Sequence, residues 1–256
     1  MKRRAAAAAA ALALITGGGV LAGCGSEAAP DTATAASTVA EAPPNGVETL
    51  SGQEILDKSL AATSAASSVT VSGSLTQDGQ AVALALTVGT DAAGGTIKAE
   101  GLEVDLRVVG GKSYFKMSGE ALAKVMGEKD SPGVVKAVSA LIGDKWLVMP
   151  VDSAGDFEGL NQLAQKDTLF KDLLMSNGKI TVTGTGDVNG VPVVFLESAD
   201  GKGTLAIQTV GEPYPVQIKG PGSDVISFTA WNAPVSVTAP TDVIDIGALA
   251  ALGDAN

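Results

Sequence analysis

The chain has 256 residues, with 17 Lys and Arg against 28 Asp and Glu for a formal net charge of −11, one cysteine and no histidine. Without imidazole there is no Ser-His-Asp or Cys-His nucleophile pair and no zinc site of the usual histidine-containing kinds, and a lone cysteine makes no disulfide within the chain. So acidic a protein gains nothing from counterion release on nucleic acid, which is excluded as a partner.

The chain opens with Lys2, Arg3 and Arg4, an apolar run from Ala5 to Ile15, and then glycines and other small residues. That is the order of a secretory signal. The run closes on Leu21-Ala22-Gly23-Cys24, which contains the single cysteine and resembles the lipobox of bacterial lipoproteins. The resemblance implies cleavage before Cys24 and acylation of its thiol, so that residues 1–23 are a signal peptide and Cys24 is the lipidated membrane anchor. An uncleaved transmembrane helix is the competing reading of residues 5–23, but Gly17, Gly18 and Gly19 interrupt it. Cleavage removes three of the basic residues and no acidic one, which moves the net charge from −11 to −14. An anionic membrane surface repels such a domain unless it is held there covalently.

Residues 24–50 are rich in Ala, Thr, Ser and Pro, without apolar periodicity, and read as a disordered tether. A flexible coil of that length reaches ~25–30 Å on root-mean-square average. One domain is expected over residues 51–256. Ser51-Gly52-Gln53-Glu54 fits a capping box, and Ile55, Leu56 and Leu60 fall at helical spacing, which predicts a helix over 52–66. From Ser68 the period becomes two, with Val69, Val71 and Leu75 alternating with polar residues up to a hairpin turn at Asp78-Gly79.

The returning strand, 81–88, is apolar on both faces. A glycine-rich turn over 89–95, a strand at 96–100, an alternating strand at 102–108 and another at 112–117 follow. Residues 118–175 return to helical spacing, with helices around Ala121–Met126, after Pro132, over 157–165 and over 168–175, interrupted by one strand at 144–149. Strands at 179–185, 191–198 and 204–210 follow, punctuated by Asn189-Gly190 and Asp200-Gly201. Pro213 and Pro215 push the next strand toward a sheet edge or make its start irregular. Val225–Trp231 reads as the last clear strand, and the pattern beyond Val235 is ambiguous. The sum is an α+β fold: a curled antiparallel meander of about ten strands, a half-barrel with helices on its concave face.

The chemical motifs are weak. Ser113-Tyr114-Phe115-Lys116 and Ser176-Asn177-Gly178-Lys179 match the S-x-x-K pattern of serine acyl-enzymes, but neither companion motif occurs and Ser113 lies in a strand pattern. Gly184-Thr185-Gly186 starts like a phosphate loop, yet no helix follows and a hairpin is the better reading. Asp152, Asp156 and Glu158 lack the spacing of a calcium loop and read as a solvated loop and helix start. No catalytic residue, metal site or cofactor is expected.

Val108-Val109-Gly110-Gly111-Lys112-Ser113-Tyr114, Gly143-Asp144-Lys145-Trp146 and Glu212-Pro213-Tyr214-Pro215-Val216 stand in order behind the lipobox and tether. Together they resemble actinobacterial lipoproteins of the LppX/LprG type, related to the LolA/LolB carriers. The resemblance covers residues 51 to about 242. It implies a half-barrel whose apolar cavity holds acyl chains of a lipid or lipoglycan, anchored through Cys24 on the outer face of the cytoplasmic membrane. Members of that family differ in cavity size, so lipid binding does not follow from fold alone.

Periodicity assigns to the lining Leu84, Leu86, Val104, Leu106, Phe115, Met117, Leu122, Val125, Met126, Val135, Val138, Leu141, Trp146, Leu163, Phe170 and Leu174. A slip of one residue in any strand inverts its face. Two rival readings stand beside the lipid carrier: a sensor or scaffold that binds another envelope protein, and a Ser/Lys hydrolase.

Overall fold

In a computed structural model, residues 42–77, 79–125, 132–150, 165–174, 178–199, 201 and 203–245 are described. The expected signal segment, Cys24, the Asp152–Glu158 cluster, Ser176 and the expected helix over 157–165 lie outside them. Among the described residues are four α-helices: α1 (Gly52–Ala65), α2 (Gly119–Val125), α3 (Pro132–Ile142) and α4 (Lys166–Leu174). Twelve strands accompany them: β1 (Ser68–Gln77), β2 (Gln80–Gly89), β3 (Ala92–Ala99), β4 (Leu102–Val109), β5 (Lys112–Lys116), β6 (Trp146–Pro150), β7 (Ile180–Val188), β8 (Val191–Ser198), β9 (Thr204–Gln208), β10 (Pro215–Lys219), β11 (Val225–Thr229) and β12 (Val243–Asp245).

All twelve strands form one open, curled sheet in the order β12-β6-β5-β4-β3-β2-β1-β11-β10-β9-β8-β7. The fold is thus the expected α+β half-barrel, but its topology is not a single meander. Two meanders, β1–β6 and β7–β11, are joined where β1 pairs antiparallel with β11, and β12 pairs parallel with β6. Loop closure across more than 150 residues sets that junction, and local periodicity carries no trace of it.

Order begins earlier than the composition suggests. Pro44 bridges Val210, the Asn45 amide donates to the Thr209 carbonyl at 2.9 Å, and Val47 is buried in a short 3-10 turn, Val47–Thr49. At α1 the capping box is complete: the Ser51 hydroxyl accepts from the Glu54 amide at 3.4 Å, and the Ser51 amide donates to the Glu54 carboxylate at 3.0 Å. The Ser51 hydroxyl also donates to the Glu54 carboxylate at 2.6 Å, and this bond first, then the one from the Ser51 amide, holds the Glu54 carboxyl below its ordinary pKa.

Three strand expectations shift. The turn expected over 89–95 shrinks, because Gly94 and Gly95 belong to β3. Gly95 has φ +148°, and a Cβ there would meet the Ala85 carbonyl oxygen at 2.0 Å, so a side chain is excluded at a point where two strands press together. The strand after Pro213 is not at an edge but between β9 and β11, with its irregular start absorbed by a register shift between Pro215 and Gln217. β11 ends at Thr229, before Trp231.

The ambiguous tail is a strap. From β11 the chain leaves for β12 at the opposite side of β6, seven strand spacings away, or ~34 Å. Residues 230–242 span it as extended chain over the outer face of the sheet. On the way the Val235 and Val237 side chains lie over Gly89 and Gly94, the Arg107 guanidinium donates through Nη1 to the Thr238 carbonyl at 3.2 Å, and the Trp146 amide donates to the Asp242 carbonyl at 3.0 Å.

Candidate functional site: the apolar concave face

Strand register gathers the alternating apolar residues into transverse rows on the inner face. One row reads Phe228, Val71, Leu86, Gly95, Leu106, Phe115, Leu147 and Ile244. A second crosses nine strands without a polar residue: Val182, Leu196, Leu205, Ile218, Ile226, Gly73, Leu84, Ile97 and Val104. The third, Leu75, Val82, Ala99 and Leu102, lies at the rim made by the β1–β2 and β3–β4 turns.

Packing loosens from row to row toward that rim. Leu86, Leu106, Phe115 and Leu147 are 0–1% exposed, whereas Leu84, Ile97 and Val104 are 5–7% exposed and Leu75, Val82 and Leu102 are half-buried. All of these belong to one apolar cluster, which also takes in Ile55 and Leu56 of α1, Ala121 and Leu122 of α2, Ile142 of α3 and Leu169, Phe170 and Leu174 of α4. The helices therefore cover the concave face, as their amphipathic spacing requires.

Of the expected lining residues, Leu84, Leu86, Val104, Leu106, Phe115, Met117, Leu122, Phe170 and Leu174 are buried in this cluster. Val138 packs against it half-buried, while Val135 is half-buried and does not pack against it. The Val125 side chain, Met126 and Leu163 lie outside the described residues. Two assignments need correction. Leu141 is 56% exposed, because its place on α3 turns it away from the face that carries Ile142 and Val138. Trp146 points to the outer face, since its neighbour Leu147 pairs with Phe115 on the inner one. There the Arg107 guanidinium sits 4.6 Å from the Trp146 ring centroid, beneath the strap. The pattern of β6 alone, apolar throughout, leaves both faces equally plausible.

Two groups escaped sequence reading. Lys166, at the start of α4, is only 7% exposed, and its ammonium donates to the carbonyls of Thr63, Ser64 and Ala66 at 2.8, 2.8 and 2.6 Å. It thus caps the C-terminal end of α1, where unpaired carbonyls and the helix dipole favour a cation. Tyr214 and Trp231 stack at 4.4 Å between centroids, with Phe170 at 5.4 Å from Trp231 and 5.0 Å from Phe228. This aromatic cluster, with Ala62 and Ala66, joins α1 and α4 to the β7–β11 meander at the end of the half-barrel away from the rim.

Ser113 is fully buried on the inner face, and Lys116, three residues further along the strand, points to the other side. That pair cannot act together as nucleophile and base. Gly184-Thr185-Gly186 lies within β7 of the β7–β8 hairpin. Among the described residues, no cluster of three or more potential metal ligands occurs, and no helix is long and apolar enough to cross a membrane. Three buried hydroxyls, those of Ser59, Thr63 and Ser113, have no hydrogen-bond partner among the described residues. An open cleft of about 360 Å³ between α1 and α4 is lined by Leu60, Thr63, Ser64, Asp167, Phe170, Lys171 and Leu174.

No protein-family model matches the chain, and no curated protein matches its sequence. Among solved structures, it is similar to LprF from Mycobacterium bovis, at 18% identity and a TM-score of 0.46, over 74% of this chain and 96% of that one. It is likewise similar to the lipoprotein LppX from Mycobacterium tuberculosis, at 19% identity and a TM-score of 0.45, over 73% of this chain and 100% of the other. A DUF1329 family protein from Desulfovibrio piger matches at 12% identity and a TM-score of 0.21, over 72% and 95% of the two chains.

Proposed function

We propose that the protein is a lipoprotein of the cell envelope, anchored through acylated Cys24, which holds acyl chains of a lipid or lipoglycan against its concave face and carries them without enzymatic chemistry. The observation that carries this reading is the gradient on that face. An apolar row nine strands wide is covered by short helices and passes from close packing at Phe115 to half-buried Leu75, Val82 and Leu102 at the rim. A purely structural core has no need of an apolar edge that stays in contact with water.

Transfer of an acyl chain from water to such a face gains ~0.8 kcal/mol per methylene. Transfer from a bilayer, which is equally apolar, is close to balance, and that suits reversible loading. The chain displaces helix–sheet contacts on the rim side, where packing is loosest, and leaves the row through Leu106 and Phe115 as a fixed floor.

Native mass spectrometry of the Cys24→Ala protein, before and after incubation with phospholipid and glycolipid vesicles, tests the reading. Bound lipid of defined mass supports it. Absence of both co-purifying and added lipid refutes it.

A second reading, a scaffold for another envelope protein, draws on the close packing of the central row, with Leu86, Leu106, Phe115 and Leu147 at 0–1% exposure. Photo-cross-linking in cells from Leu141, the exposed apolar residue of α3, separates the two: a scaffold traps protein there, and a carrier yields none.

A further inference from the structure

Burying a hydroxyl without a partner costs free energy, and folded proteins rarely leave one so. Of the five buried polar side chains described in this protein, two obey the rule. The Ser68 hydroxyl donates to the Ala233 carbonyl, and the Lys166 ammonium is fully engaged. Ser113 of β5, Ser59 and Thr63 do not, and the last two stand together. Both are on α1, at 0% and 1% exposure, and neither hydroxyl makes a hydrogen bond, not even the common one back to the carbonyl four residues earlier. Four residues apart on a helix, they share one face, about 6 Å from each other.

Of the two, Thr63 and not Ser59 lines the 360 Å³ cleft between α1 and α4, and that lining is amphiphilic. Leu60, Phe170 and Leu174 form apolar walls, and Phe170 continues into the interior through its contact with Phe228. Asp167 and Lys171, both exposed, stand at the outer margin, and Thr63 forms part of the lining beside them. From outside to inside, charge gives way to an unpaired hydroxyl donor and then to hydrocarbon. A molecule that matches this order has a polar head, a carbonyl oxygen and an acyl chain.

We infer that the α1–α4 cleft receives the ester or amide junction of an acyl-chain ligand, with the Thr63 hydroxyl donating to its carbonyl oxygen. This inference rests on the lipid-carrying reading above. The chain then runs inward past Phe170 and Leu174 toward the loosely packed rim rows, and the head group stays outside between Asp167 and Lys171. A hydroxyl held in a dry site discriminates by the cost of leaving it unpaired: a ligand without a carbonyl at that point buries it again without compensation.

The test compares a diacyl phosphatidylcholine with its dialkyl ether analogue, which has the same head and chains but no ester carbonyls. Both are offered in vesicles to the Cys24→Ala protein, and the amount bound is read by native mass spectrometry in competition. The expected result is a preference for the ester lipid of roughly three- to tenfold, from one neutral hydrogen bond. A Thr63→Val variant loses that preference, while its thermal midpoint without lipid stays the same or rises, because an unsatisfied hydroxyl is gone. Equal uptake of ester and ether lipids by the unaltered protein overturns this inference and leaves the carrier reading standing. A preference retained by the Thr63→Val variant does the same. Uptake of neither lipid overturns the carrier reading and this inference with it.

Discussion

Lys166→Met replaces the ammonium with an apolar group of similar reach and leaves the carbonyls of Thr63, Ser64 and Ala66 without their shared donor. Each hydrogen bond from a charged group contributes ~1.5–3 kcal/mol net, but three bonds to one ammonium are not additive, and desolvation of the charge opposes them. The Thr63 carbonyl also accepts from the Ala66 amide at 3.2 Å, so the loss falls mainly on the other two. Stability is expected to fall by about 2–4 kcal/mol. For a domain of this size that lowers the unfolding midpoint by roughly 4–16 °C. Circular dichroism at 222 nm during a thermal ramp reads the shift. Asp167→Asn is the control: its carboxylate approaches Lys166 at 3.7 Å but its side chain is 77% exposed, and removing so exposed a partner changes stability by less than ~0.5 kcal/mol. A Lys166→Met midpoint within 1 °C of the parent would show that α4 is not held to α1 by this cap.

Two further substitutions probe the frame of the site. Gly95→Ala places a Cβ 2.0 Å from the Ala85 oxygen at a φ that only glycine tolerates, and should cost at least ~3 kcal/mol or abolish soluble expression. Gly111→Ala, at φ +69° with open space around it, should cost only ~1–2 kcal/mol; equal losses in urea titrations would contradict the close-approach argument. Because the folded-state pKa of Glu54 lies below its unfolded value, its contribution is present above the ordinary carboxyl range and disappears as pH falls through the lowered one. Ser51→Ala should therefore lower stability near neutral pH, with the difference narrowing in acid; a difference that widens there would reverse the assignment.

Local chemistry made much of this protein legible. The Ser51–Glu54 capping box, the Asn189-Gly190 hairpin and the period-two runs of β1 and β4 depend on neighbours within a few residues, and all appear where the pattern puts them. The inner face of β2 and β4 followed too, because Leu84, Leu86, Val104 and Leu106 alternate with residues of a different kind or size. Where a segment is apolar on both sides, as at Trp146–Met149, the pattern is silent about its face, and only the pairing of Leu147 with Phe115 turns Trp146 outward. Gly94 and Gly95 read as a turn because a strand has no local use for them; their reason lies in the strand and strap that press against them.

By itself, then, the chain's order of residues determined the half-barrel class, the amphipathic helices and the inner face of the strands that alternate, since each depends on spacing along one element. Only the tertiary structure decided that β1 pairs with β11, that residues 230–242 bind the outer face, and that Lys166 closes α1. Those contacts join residues about 100 to 160 positions apart, where the geometry of the whole sheet, and no local period, chooses the partner.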